Sequence, residues 1–540
     1  MNKVAERLNL LGPTIAKICN ISGTPGASIG VTQRGEVVYK ANFGYRDVEA
    51  QLVPDDSTVY HIASLTKGFS ATAISILVRE EKLEWQTPLA KIIPGFHLRD
   101  KVIGEKVNSI DILSHRMGIA GGNPLWSQAG NRNHLPKHEL IRTIASLKHV
   151  KDFRDSFLYH NLGFGLVAST IEHVTDGSYG DYLISKIFKP LNMSRTSIKA
   201  EDTPTENRAK AYAPMDDGTF YQIPFPESAD GTIQSSAGGV RSCVKDLLVF
   251  YNKILEASDS SYTAKDQTQP LAVHQGAFLT GAHNFVSQDS PLERTYALGF
   301  LRAQLPGSLG VVGPNVNLVE MPIIGDEGSP LVIYHQGSYP GYLSIAIMIP
   351  QTQTAIVVLT NSLAFNDAAD WIGQLLLESV LDIKHPTDFV KLASQSRDAY
   401  VQSFVKVGSN ISTHKDPNAS MKALDSYCGD YYNELHNFFI RVFEKDGELH
   451  MCFQGEDWDV YSLEPYSKDI FSWWESREEQ AKRGRWPIAG SDYFMLRFAA
   501  SSDGDIDQIT WAMDPAVPSG EILKKAGSNG LNHLHEAPKS

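Results

Sequence analysis

Residues 61–71 read HIASLTKGFSA and contain Ser64-Leu65-Thr66-Lys67. A separation of three is close to one helical turn, so on a helix the hydroxyl and the amine share a face. A serine hydroxyl is a poor nucleophile until a base takes its proton. A lysine can be that base when burial and nearby donors lower its pKa. Ser64 also stands where such a helix begins. Free amides and the helix dipole there can stabilise negative charge on an attacked carbonyl. The chemistry these residues could do is acyl transfer through a covalent serine ester.

An SxxK spacing by itself is commonplace, and its ordinary meaning is an exposed Ser and Lys. Two further stretches offer partners. In FLYHNLGFGL, Tyr159-His160-Asn161 precedes a predicted helix. A tyrosine near a lysine ammonium could ionise and relay protons, as base or acid. Asn161 is a candidate to hold Lys67 or a substrate carbonyl. Seen alone, the pair would be a packed Tyr and a helix-capping Asn. In YHQGSYPGY, His335-Gln336-Gly337 ends a predicted strand. A strand edge there could offer the Ser338 amide to an oxyanion, with the Ser64 amide as second donor. His335 could orient substrate or assist proton transfer; alone it would read as a loop histidine.

SxxK, then YxN, then HxG in a late strand resembles the serine β-lactamase-related superfamily. SILVREEKLEWQTPLAKIIPGF, SIDILSHRMGIAG and SAGGVRSCVKDLLVF resemble supporting stretches of the same family, and the likeness runs over about residues 10–382. The resemblance implies Ser64 as the acylated nucleophile, Lys67 as its base and Tyr159 as the second proton-transfer group. The family's third motif is usually Lys-Thr-Gly. Here it is His335-Gln336-Gly337, similar to the form in related esterases, D-aminopeptidases and acyltransferases. The missing lysine removes a cation suited to a β-lactam carboxylate, which turns the expectation away from antibiotic hydrolysis. The implied activity is a carboxylesterase-like serine hydrolase acting on ester, thioester or amide bonds of a small molecule. Acyl transfer to a small acceptor, D-aminopeptidase-like amide hydrolysis and non-catalytic binding on the same fold are the alternatives. No cofactor is expected, and no metal, since no HExxH or other ligand-spaced set is present.

The elements that must position these residues follow from pattern. Residues 3–20 read as a helix. Two β-rich runs flank Gln33-Arg34-Gly35 as a hairpin. An apolar helix starts near Ser64, carrying Leu65, Phe69, Ala73, Ile74 and Leu77 at helical spacing. The middle of the chain is helical, with an apolar run stopping at Asp176-Gly177 and further helices at 178–193 and 244–255. Strands are expected at 296–301, 331–337, 343–350 and 354–362, too close together for intervening helices and hence antiparallel. A helix is expected from about Asp367 to Leu381. The pattern is α+β: an antiparallel sheet flanked by helices, taking strands from both ends of the chain, with a mostly helical insert. Past His385-Pro386, residues 387–425 are polar. Short alternating runs then surround Asp446-Gly447, a strong hairpin signal, and suggest a small all-β, barrel-like domain. The expected division is a catalytic domain at 1–385, a helical or irregular connector at 386–425, a β-domain at 426–528 and a disordered tail at 529–540.

Bulk properties narrow the partners. The chain has 540 residues, 42% apolar and 21% charged, a size suited to two domains or more. Its net charge of -13, with no basic stripe, argues against nucleic acid and anionic membrane and leaves a small-molecule substrate. No signal-peptide core or membrane span is evident at sequence level. Cys19, Cys243, Cys428 and Cys452 form no CxxC, which fits free thiols in the cytoplasm. Gly26-Ala27-Ser28-Ile29-Gly30 matches GxSxG. It leads into a strand and hairpin rather than a strand-turn-helix elbow, so Ser28 reads as a buried strand serine. His115, His160 and His173 lack metal-ligand spacing. Trp473-Trp474 reads as core, and Trp126 as a candidate pocket residue.

Overall fold

The computed structural model describes residues 3–258 and 275–527. The tail expected beyond residue 528 lies outside the described residues. An eight-stranded antiparallel sheet organises the first domain. Its order is Glu36–Gly44, Gly26–Gln33, Thr354–Thr360, Tyr342–Ile349, Leu331–Tyr339, Leu301–Gln304, Arg294–Tyr296 and Asn284–Phe285. Strands from the two ends of the domain pair as its second and third members, with Ile29 opposite Val358. The first hairpin turns on Arg34 (φ 53°) and Gly35 (φ 79°), the left-handed pair that matches strand twist.

Both faces of this sheet are buried, and the period of two sorts its residues. Val357, Leu359, Ala346 and Met348 face the helical insert in one core. Ile356, Val358, Ile345 and Ile347 face the terminal helices Gly12–Ser22 and Ala368–Leu381 in the other. The helix Thr66–Arg79, which follows Ser64, is buried almost throughout, within the first core. It is buried on nearly every side, and the hydroxyls of Ser70, Thr72 and Ser75 are satisfied by backbone carbonyls.

The second unit is a closed barrel of eight strands, from Gly429–Tyr432 to Glu521–Lys525, shut by pairing of Tyr431 with Lys525. Asp446 (φ 55°) and Gly447 (φ 81°) make the expected hairpin turn. Trp473, Trp511, Phe453 and Phe494 fill the interior, so Trp473 is core as its sequence suggested.

Some expectations need correction. The N-terminal helix is two helices, Lys3–Asn9 and Gly12–Ser22. Pro13 belongs in the first turn of the second, where its missing N–H costs nothing. Residues 296–301 are not one strand. Gly299, at φ 78°, reverses the chain between Arg294–Tyr296 and Leu301–Gln304. Residues 178–193 form a short helix, Tyr179–Leu183, that runs into a wider turn over Ile184–Phe188. The polar connector took the helical of its two expected forms, in a 26-residue helix, Phe389–His414. Ser28, by contrast, lies in a strand and is fully buried, as its sequence suggested, with its Oγ 2.9 Å from Tyr60 Oη.

Candidate active site

A sharp turn presents the serine. Ala63 has φ 48°, a left-handed conformation that costs an L-residue about 1–2 kcal/mol. Ser64 follows in a 3-10 turn, Ala63–Leu65, that feeds the helix Thr66–Arg79. Ser64 remains partly open to solvent, whereas Lys67 is fully buried one turn on.

Three side chains converge on this turn. Lys67 Nζ lies 2.9 Å from Ser64 Oγ. It donates to Asn161 Oδ1 at 3.0 Å and to the Ala237 carbonyl at 2.9 Å. Tyr159 Oη donates to Ser64 Oγ at 2.9 Å. Asn161 opens the helix Asn161–Thr175, and the preceding extended residues bring Tyr159 over the serine. Burial pushes the Lys67 amine well below its ordinary pKa. Burial pushes the Tyr159 phenol up, against a smaller opposing effect of its bond to Ser64. At neutral pH the tyrosine is therefore a proton donor, not a phenolate.

The third motif lies on the strand Leu331–Tyr339. Pairing with Leu301–Gln304 stops at Tyr334, so the strand edge from His335 onward faces the Ser64 turn. Gly337 makes that approach possible. A Cβ there would stand 2.4 Å from the Ile62 carbonyl and 3.3 Å from the Ser64 nitrogen. In the two-residue hairpin closed by Tyr339 and Tyr342, bonded pairs alternate. Ser338 falls on the non-bonded position, so its N–H turns away from the neighbouring strand. His335 is set back from the cavity. Its Nε2 accepts from Tyr296 Oη at 2.9 Å, and its Nδ1 donates to the Gln336 carbonyl. Burial, then the neighbouring Lys67, lowers its pKa to about 3, so it is neutral.

A cavity of about 870 Å³ opens over Ser64, Tyr159, Asn161 and Ser338, and Trp126 lines it as well. A larger groove, about 1170 Å³, runs along the barrel between Lys148 and Glu521 and does not include these residues. Among the described residues no cluster of His, Cys, Asp or Glu could hold a metal ion.

Residues 14–378 match the family model named Beta-lactamase. The chain belongs to the beta-lactamase family. Residues 413–523, which span the barrel strands, match a domain of unknown function, DUF3471. Protein Flp of Staphylococcus aureus (strain MRSA252) is 29% identical over 188 residues, 35% of this chain. That match spans only 38% of Flp's own length. The unguisins hydrolase UngD of Aspergillus violaceofuscus is 22% identical over 463 residues, 79% of this chain and 75% of that protein. An octameric penicillin-binding protein homologue from Pyrococcus abyssi shares the fold. Its TM-score is 0.55 at 20% identity, over 96% of this chain and all of that one. No described helix is long and apolar enough to cross a membrane.

Several members of the site carry no motif of their own. The Ala237 carbonyl fixes Lys67; its only sequence signal was the family-like SAGGV stretch. His115 packs against Tyr159, with ring centroids 4.3 Å apart and the rings tilted by 36°, and its Nδ1 accepts the His160 N–H. A search for metal spacing passes over that role. The barrel's share of the cavity wall, residues 485–493 and 512–518, had no sequence signal at all.

Proposed function

We propose that the protein is a carboxylesterase-like serine hydrolase that forms an acyl-enzyme on Ser64. One observation carries this reading: the partners of Lys67. A neutral amine has two N–H donors and one lone pair. Asn161 Oδ1 and the Ala237 carbonyl take the two donors, which leaves the lone pair for the Ser64 hydroxyl proton. With its pKa lowered by burial, Lys67 is the base that Ser64 needs.

In the first half-reaction the Ser64 proton passes to Lys67 and Oγ bonds to the carbonyl carbon. The oxyanion rests on the N–H groups of Ser64 and Ser338. As the bond to the leaving oxygen breaks, Tyr159 gives that oxygen its proton and regains one from the Lys67 ammonium. Water then repeats the sequence in reverse and frees the acid. His335 acts as a positioning group, because both of its ring nitrogens are engaged within the protein. The hydrolase relative UngD agrees in reaction class.

The test is intact-mass spectrometry after incubation with p-nitrophenyl acetate and butyrate. Wild-type protein should gain one acyl mass, and Ser64→Ala none. An adduct that persists on Ser64→Ala, or none on wild type at any pH from 6 to 9, overturns the assignment.

A further inference from the structure

The cavity over Ser64 is not a property of the catalytic domain alone. Its far wall comes from the barrel domain: Trp486, Ile488 and Gly490 before the 3-10 turn Ser491–Phe494, and Met513, Pro515 and Pro518 after the strand Ile506–Trp511. Trp486 and Ile488 are half-buried, as wall residues facing a cavity should be.

The barrel is fastened to the loop that carries the near wall. The Gly130 and Asn131 N–H groups donate to the Arg483 and Gly484 carbonyls at 2.7 and 3.0 Å. Gly122 N–H donates to Asp514 Oδ2 at 3.0 Å. Arg485 donates to Tyr493 Oη, which donates to Gln128 Oε1 at 3.2 Å. Trp126 and Gln128, in the bonded loop, line the same cavity. The two walls are thus held at a fixed separation by backbone and buried side-chain bonds.

The charges of this space are equally telling. Its charged lining residues are Arg485, Asp492 and Asp514. Arg485 is buried among Tyr461, Trp473 and Tyr493, with two of its nitrogens bonded to Tyr461 and Tyr493. Asp514 is held by the N–H groups of Gly122 and Ala516. Asp492 is exposed at the rim, paired with Arg497 at 2.7 Å. His335 is neutral and faces Tyr296. An apolar group meets aromatic and aliphatic surface here, whereas a carboxylate meets the Asp514 carboxylate, and the Arg485 cation is enclosed among aromatic rings with its Nε buried.

We infer that the barrel domain is the specificity half of this active site, and that it selects an uncharged, extended apolar acyl group. The inference rests on the reading of Ser64 as an acylating serine, and its test avoids acylation. Ser64→Ala protein is titrated by calorimetry with ethyl butanoate, ethyl octanoate and monoethyl suberate, an octanoate-length ester ending in a carboxylate. Each buried methylene contributes about 0.8 kcal/mol, so octanoate should bind at least 10-fold more tightly than butanoate. The suberate monoester should bind at least 10-fold more weakly than octanoate.

Gly490 offers a clean perturbation. Its φ is -145°, and a Cβ there meets only Ile488 Cγ2, at 3.9 Å. Gly490→Leu on the Ser64→Ala background should therefore fill the space without backbone strain and cut octanoate affinity at least 10-fold, butanoate affinity less. Ile488→Asp gives the same reading by a polar route should the first variant fail to fold. Equal affinity for the three esters, or equal losses for long and short esters in the variants, overturns the inference. Failure of wild-type acylation leaves these binding results standing and counts against the proposed reaction instead.

Discussion

Asn161→Asp places a carboxylate where an amide oxygen now accepts from Lys67, 3.0 Å from Nζ. Two unit charges at that distance attract by about 5 kcal/mol at an effective dielectric constant near 20. That is equivalent to raising the Lys67 pKa by about 4 units. Desolvation of the new carboxylate offsets part of this. Even a shift of about 2 units multiplies the ratio of ammonium to amine about 100-fold. An ammonium has no lone pair for the Ser64 proton. At any pH below the wild-type Lys67 pKa, kcat/KM should therefore fall about 100-fold or more, with activity returning on the alkaline side.

The assay is a pH–rate profile of p-nitrophenyl butyrate hydrolysis for wild type, Asn161→Asp and Asn161→Ala. In wild type the rate rises with pH through the Lys67 titration, because the neutral amine is the base. The Asp variant should move that limb to higher pH by about 2 units or more. The Ala variant removes an acceptor and adds no charge, so it should lower the plateau without an alkaline shift. An acid limb unmoved in Asn161→Asp would refute the claim that Lys67 acts as the neutral base.

Tyr159→Phe keeps the ring contact with His115 but removes the hydroxyl 2.9 Å from Ser64 Oγ, so kcat should fall about 10²–10⁴-fold in steady-state assays while the melting temperature changes little. Gly337→Ala puts a methyl 2.4 Å from the Ile62 carbonyl beside the nucleophile turn; a loss of about 100-fold in kcat/KM is expected, with about 1–3 kcal/mol lost in urea unfolding. Acid should weaken the fold through His160 and His335, buried with pKa values of about 4 and about 3. Unfolded histidines take protons below about 6.5 and the folded ones do not, so these groups stabilise fully above that pH. As pH falls from about 6.5 toward about 4, each lost proton site should lower unfolding free energy by up to about 1.4 kcal/mol per pH unit, and replacing His160 by Gln should flatten the slope.

How far the site could be read in sequence depended on the kind of contact. Ser64 and Lys67 are three apart in one helix, so local geometry alone brings them together. Tyr159 and Asn161 reach that pair from 95 and 94 positions away, which spacing cannot supply and family likeness did. The hairpins at Arg34-Gly35 and Asp446-Gly447 were legible because their turns demand positive φ. The strand expected at 296–301 was misread because Gly299, inside an apolar run, makes a reversal that hydrophobic pattern does not mark. The barrel's wall of the cavity is long-range packing and leaves no periodic trace.

The replacement of lysine by His335 in the third motif bears on how Lys67 is activated. A second ammonium on that strand would oppose protonation of Lys67 by like-charge repulsion. A neutral imidazole, tied to Tyr296 and the Gln336 carbonyl, offers no such help. What lowers the Lys67 pKa here is burial. Its cover comes from the helical insert, through Asn161, Ala237 and the Phe164 ring 5.2 Å from Nζ. The base is therefore only as neutral as that cover is tight. Phe164→Ala, which opens the cover without touching Ser64 or Tyr159, should raise the Lys67 pKa and move the acid limb of the pH–rate profile toward higher pH. A limb that stays in place in Phe164→Ala would show that something other than desolvation keeps the amine neutral.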